Sequence, residues 1–309
     1  MNKLTKAGIA GLFLSLTAVL ASCGGSSTST TDTAAVTADV YPVTVGDLTL
    51  DAQPTSIISL SPTATEMLYA IGAGSQVVAV DEYSNFPAEA VALGTTLSGF
   101  EPNIEAISGY SPDLVIISYD PGSLVEQLGT LNIPVFVAGA AMSLENVYEQ
   151  IEQLGVLTGH SQAAIEVSKT LQTSIEDAVA SVKFSEPPLS YYYELDNTYY
   201  SVTSNTFVGQ IFNLFGMRNI ADNVESGNDY PQLSAEVIVS SDPDFIFLAD
   251  TKCCAQDATT VAARDGWGGL KAVTANQVVE LDDDVASRWG PRVLDLITAI
   301  RDAVAAANS

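Results

Sequence analysis

Four loops in this chain carry an aromatic ring where a solvated loop has no use for one. Tyr83 stands in "DEYSNFP", Phe100 in "LSGFEPN", Tyr119 directly after "LVIIS", and Tyr230 in "NDYPQLS". A fifth loop, "DDDVASRWGPR", adds Asp284 and Arg288. Rings joined by a few hydrogen-bonding groups line small-molecule pockets. Reaction chemistry has much less to stand on. The single histidine, His160, lies in the turn "TGHSQ", and there is no GxSxG elbow, phosphate-cradling loop or HExxH pattern. No nucleophile–base pair can be assembled, so no catalytic residue and no enzymatic activity is expected. No metal and no resident cofactor is expected either: one imidazole makes no ligand set, and the adjacent Cys253 and Cys254 have no other soft ligand nearby. That pair is open to two readings, a strained vicinal disulfide or a buried thiol pair.

The elements that would position these loops alternate in type. "SIISL", "VVAVD", "LVIIS" and "PVFVA" read as buried parallel strands, and so do "LSYYYE", "FIFLA" and "QVVEL" further on. Ser61-Pro62 opens a helix with a cap and a first-turn proline, and Phe207–Gly216 and Pro291–Ala307 read as helices. This is α/β patterning, in which ligands bind beyond the carboxyl ends of the strands. Tyr83, Tyr119, Asp284 and Arg288 all follow such ends.

One phrase is written twice. "IEAISGYSPDLVIIS" and "AEVIVSSDPDFIFLA" each run from a glutamate (Glu105, Glu236) through Pro-Asp to an apolar strand, about 130 residues apart. Phe100 and Tyr230 sit in the loops that enter them. Two α/β lobes of similar plan are the economical reading. Between them Ser161 is expected to cap a helix running to about Lys183, with Ala164, Leu171, Ile175, Ala178 and Val182 on one stripe. "SEPPLS" then breaks the helix and starts the second lobe. The expected boundaries are 1–22 leader, 23–53 tether and lead-in, 54–160 first lobe, 161–184 bridging helix and 185–309 second lobe.

The first residues set the compartment. Lys3 and Lys6 precede an apolar run too short to span a bilayer, which ends in "LASC". That is the pattern of a lipobox, with Cys23 as the lipidated residue. The following Gly/Ser/Thr-rich stretch cannot pack and is expected to act as a tether reaching roughly 20–25 Å. The mature protein is thus expected to be a lipid-anchored globule on the outer face of the cell membrane. Asp and Glu number 37 against 11 Lys and Arg, a balance that repels phosphate backbones and excludes nucleic acid as a partner.

"IISLSPTATEMLYAIGAGSQVVAVDEYSNFP", "FEPNIEAISGYSPDLVII", "YPQLSAEVIVSSDPDFIFL" and "SRWGPRVLDLI" resemble the substrate-binding lipoproteins of ABC importers for cobalamin, siderophores or haem, most closely the cobalamin-binding members. The resemblance runs from about Pro54 to the C-terminus. It implies two Rossmann-like lobes joined by one long backbone helix, the class III, helical-backbone type of substrate-binding protein. It implies a monomer that takes a small molecule from solution and hands it to a permease dimer with its ATPase subunits. It also gives the repeated phrase a purpose, since each lobe of such proteins presents one glutamate to an arginine pocket on one permease copy. Those positions fall here on Glu105 and Glu236. By position the ligand wall falls on Tyr83, Phe100, Tyr119 and Tyr230, with Asp284 and Arg288 as polar partners and Trp289 supplying further surface. A corrinoid suits rings and little charge. Strongly anionic ferric chelates call for several basic residues, and Arg288 is the only one in these loops, Arg292 being assigned to the final helix and facing away or capping it. A neutral ferric hydroxamate is the runner-up, with haem behind it. A surface lipoprotein of this fold serving adhesion or sensing is the remaining alternative.

Overall fold

The computed structural model describes residues 39–95 and 97–308. The leader, the lipidation motif at Cys23 and most of the tether lie outside the described residues.

Two four-stranded sheets organise the chain. In the first, β3 (Ile57–Leu60), β4 (Val77–Val80), β5 (Leu114–Ile117) and β6 (Val135–Val137) lie in the order β4-β3-β5-β6. In the second, β7 (Ser190–Glu194), β8 (Arg218–Asn219), β9 (Phe245–Leu248) and β10 (Val278–Glu280) lie in the order β8-β7-β9-β10. Every neighbouring pair is parallel. Counted within its own lobe, each sheet has the same order: second, first, third, fourth. The central strands β3, β5, β7 and β9 are buried at every residue, which is why they read as unbroken apolar runs and not as alternating ones.

The repeated phrase folds the same way both times. In the first lobe Asp113 Oδ2 accepts hydrogen bonds from Thr55 N (2.8 Å), Ser56 N (3.1 Å) and Thr55 Oγ1 (2.9 Å). In the second, Asp244 Oδ2 accepts from Ser190 N (2.8 Å) and Ser190 Oγ (2.7 Å). Each Pro-Asp therefore ties the entrance of its lobe's third strand to the entrance of the first. The Thr55 amide leads the interactions that hold the Asp113 carboxyl below its ordinary range.

The bridging helix runs Ser161–Ala180, about 30 Å at 1.5 Å per residue, and ends three residues before Lys183. Its N-cap position is His160, not Ser161, and no side chain of the helix's own caps it. Asp39, upstream of the first lobe, does that work: its Oδ2 accepts from Ser161 N at 3.1 Å. The expected stripe is present, with Ala164, Leu171, Ile175 and Ala178 buried. The helix packs on Leu144–Thr158 and on the final helix, Val293–Ala307. The first of these crossings is close enough to require glycine, since a Cβ on Gly155 would lie 2.3 Å from that of Ala164. Inner-face residues of both sheets and the bridging helix form one continuous core, from Ile57 and Leu114 through Leu171 and Ile175 to Tyr191 and Phe247. Separate clusters cover the outer faces of the lobes. An antiparallel hairpin, β1 (Val43–Val45) with β2 (Leu48–Leu50), also packs on Leu144–Thr158. Among the described residues no helix is long and apolar enough to cross a membrane.

Candidate ligand-binding cleft

At the carboxyl ends of the first sheet, three of the sequence-predicted rings come together. Phe100 meets Tyr83 edge to face at 5.5 Å between centroids and lies 6.3 Å from Tyr119. The rings are 54, 62 and 44 % exposed for Tyr83, Phe100 and Tyr119, too open to be plugs of the lobe's own core. With Leu60, Asp81 and Gly99 they line a cavity of about 250 Å³. A second cavity of about 380 Å³ lies against the second lobe, lined by Tyr230, Trp289, Arg288, Phe207 and Cys253 among others. Tyr230 is 55 % exposed, again turned outward. Trp289 is half-buried and anchored across the lobes, its Nε1 donating to Gln150 Oε1 at 3.1 Å.

Arg288 lines the second cavity and reaches across to the loop that carries Tyr83 of the first. Its guanidinium donates to Tyr83 O (3.0 Å), Asn85 Oδ1 (2.9 Å) and Glu66 Oε1 (2.8 Å) in the first lobe and to Asp284 Oδ1 (2.8 Å) in its own. Asp284 lines neither cavity; it is held by Lys252 Nζ (2.8 Å), Asn85 Nδ2 (3.0 Å) and Arg288. Burial pushes the Asp284 pKa upward, but these partners outweigh it and keep the carboxyl below its ordinary range. Of the pair expected as polar ligand contacts, Arg288 alone reaches a cavity wall, and together the two form an inter-lobe bridge to the Tyr83 loop.

Arg292 corrects its expected placement. It does sit at the N-cap of the final helix, but it turns back to the first lobe, where Nε donates to Glu66 Oε2 at 2.9 Å and Nη2 to Glu66 Oε1. Its guanidinium also stacks on Phe86, 4.3 Å from the ring centroid. Cys253 and Cys254 are both free, and neither is buried: Cys253 is exposed on the cavity wall and Cys254 half-buried. His160 touches neither cavity; its Nδ1 lies 2.9 Å from Thr158 O.

Glu105 and Glu236 occupy matching places. Each lies in the first turn of the helix before its lobe's third strand, behind N-caps Asn103 and Ser234, and each is exposed. Among the described residues neither pairs with a basic side chain. Its own backbone amide and the Ser234 hydroxyl keep the Glu236 carboxyl below its ordinary range.

Two acids escaped the sequence reading. Asp81 lines the first cavity and ends an otherwise apolar strand; a charge in that position was the available signal. Asp250 follows β9 and is fully buried, and among the described residues neither carboxylate oxygen has a hydrogen-bond partner. Nearby Glu194 is bound by Arg264, which donates through Nη1 at 2.6 Å and also through Nη2. Burial first, and then the Glu194 charge, push the Asp250 pKa up to about 7. An unfolded Asp titrates near 3.9, so the folded form holds this proton more tightly, and stability falls as pH rises from about 4 through about 7. Asp250→Asn is expected to raise unfolding stability by about 1–3 kcal/mol at pH 8. The gain should vanish toward pH 4 in denaturant titrations; an equal gain at both pH values would mean that ionisation of Asp250 is not its source.

Comparison with known proteins agrees with this architecture. Residues 57–285 match the family model described as periplasmic binding protein. The chain is 28% identical to an ABC transporter substrate-binding lipoprotein of Bacillus subtilis, YvrC, across 97% of both chains. It is 30% identical to a cobalamin-binding protein of Halobacterium salinarum, over 85% of this chain and 74% of that one. Among solved structures, the periplasmic vitamin B12 binding protein BtuF of Vibrio cholerae superposes with a TM-score of 0.69 at 27% identity, covering 83% of this chain and 98% of that one. Twin parallel sheets, a single bridging helix and the matched span together establish that this chain belongs to the periplasmic binding protein family.

Proposed function

We propose that this protein is the extracytoplasmic substrate-binding component of an ABC importer, and that it captures a corrinoid in the cleft between its lobes. The observation that carries the reading is the outward-turned ring cluster Tyr83–Phe100–Tyr119 with Tyr230 and Trp289 across the Arg288 bridge. A corrin is wide, flat and edged with amides, and open rings on two opposed walls match such faces. The cobalamin-binding and vitamin B12-binding relatives support this choice. Among the described residues Arg288 is the one basic side chain lining either cavity, and it is already engaged by a carboxylate on each lobe. That arrangement leaves little free positive charge for an anionic chelate.

Glu105 and Glu236 are assigned to the permease. Their equivalent positions on lobes of equal topology suit a two-fold membrane partner bearing basic pockets. A carboxylate in a helix's first turn gains only about 0.3–1 kcal/mol from the helix dipole, and that gain does not require the same position in both lobes. Cys23 is assigned as the lipid anchor, in keeping with the lipoprotein relative from Bacillus.

Calorimetric titration of the chain from residue 39 onward tests the reading. Cyanocobalamin or dicyanocobinamide should bind one to one, and Phe100→Ala or Trp289→Ala should weaken binding roughly tenfold or more, as buried aromatic anchors do. Tight binding of ferrioxamine or haem, with no corrinoid bound, would replace the ligand while leaving the importer role intact.

A further inference from the structure

The floor of the first cavity holds a carboxylate with half its capacity unused. Asp81 is 3 % exposed and lines the cavity beneath Tyr83 and Phe100. Its Oδ1 accepts from Tyr83 N at 2.7 Å, which fixes the turn that carries the Tyr83 ring. Among the described residues its Oδ2 has no hydrogen-bond partner. Leaving a buried acceptor empty is costly, and a fold retains one where something else gains from it. Gly99 also lines the cavity and packs close to the carboxylate: a Cβ there would stand 3.7 Å from Asp81 Oδ2 and 2.9 Å from Leu60 O. The Tyr83 and Phe100 rings that share this cavity are more than half exposed.

We propose that Asp81 is a specificity-determining residue of this cleft, its free Oδ2 accepting a hydrogen bond from an amide N–H on the ligand's rim and turning away ligands that present a carboxylate there. This rests on the corrinoid reading, whose ligand is edged with primary amides. An amide N–H fills the empty acceptor, whereas a second carboxylate in a low-dielectric pocket meets like charge with no donor between them. Burial pushes the Asp81 pKa up to about 6, opposed by the hydrogen bond from Tyr83 N and by the charge of Arg288, so the group is ionised at pH 8.

The test compares cyanocobalamin with its monocarboxylic acids, in which one rim amide is hydrolysed, at pH 8 by equilibrium titration. The unaltered protein should prefer the amide form at least tenfold over the most disfavoured acid. Asp81→Asn keeps the side-chain shape and the bond to Tyr83 N while removing the charge, and should narrow that preference to under threefold. A preference equally large in both proteins overturns the role of Asp81 and leaves the corrinoid standing. So does equal affinity for amide and acid in the unaltered protein, a result that needs no folded variant. Failure of the unaltered protein to bind any corrinoid overturns the ligand reading and this assignment with it.

Discussion

Glu66→Ala should destabilise the protein by about 3–5 kcal/mol, the range for removing one partner of a buried ion pair. Glu66 lies in the helix Pro62–Ala70 of the first lobe with its side chain 1 % exposed, and it takes hydrogen bonds from Arg288 and Arg292, both of which arrive from the second lobe. Removing the carboxylate strands two guanidinium groups in a low-dielectric setting. Arg288 keeps Asp284, Asn85 and Tyr83 O, so its loss is partial. Among the described residues Arg292 pairs with no other carboxylate and keeps the face of Phe86. Glu66→Gln retains the volume and one acceptor oxygen and should fall between the two proteins. Denaturant titration gives the stabilities, and ligand titration should show weaker binding in Glu66→Ala, because the same bonds hold Arg288 against the Tyr83 loop. A loss below about 1 kcal/mol would mean that the lobes are held by their shared apolar core alone.

The largest functional effect is expected from the double change Glu105→Ala with Glu236→Ala. Both carboxylates are exposed and lie outside both cavities, so affinity and stability should hardly move. Exposed charges away from a partner contribute little. Buried against basic pockets of a membrane partner, the same charges become charge-assisted bonds whose loss costs about 2–5 kcal/mol each. Uptake of labelled cobalamin by cells carrying the doubly changed protein should therefore fall at least a hundredfold, with each single change intermediate. Unimpaired uptake would remove these two residues from the docking surface. Reduced uptake with matching loss of ligand affinity would assign them to the cleft instead.

Much of this was legible in the residues. Fully buried parallel strands leave continuous apolar runs, so β3, β5, β7 and β9 were visible within a residue or two of their ends. The repeated Pro-Asp phrase disclosed the duplication, although its work as a strand-entrance clasp to Thr55 and Ser190 appeared only in the fold. Short elements were less legible. The two-residue strand β8 gets its identity from pairing with β7, and the hairpin β1–β2 from packing on a helix about 100 residues away. The cap of the bridging helix was misplaced for the same reason: Asp39 supplies it from 122 residues upstream, and no local pattern records that bond. In the cleft, loop position alone identified the rings. It could not tell that Arg288 is spent largely on Glu66 and Asp284, because an ion pair spanning 222 residues leaves no periodicity. Glu66 itself did leave a trace, a single acid in the otherwise uncharged "PTATEMLYA".

A crystal of the chain from residue 39 onward grown with cyanocobalamin, with the cobalt located by its anomalous scattering, tests the central claim most directly. The account predicts one cobalt peak per molecule, in the cleft between the Tyr83–Phe100–Tyr119 cluster and the wall carrying Tyr230 and Trp289. A peak elsewhere on the surface, or a cleft closed to the corrin with the rings packed into their own lobes, would contradict it.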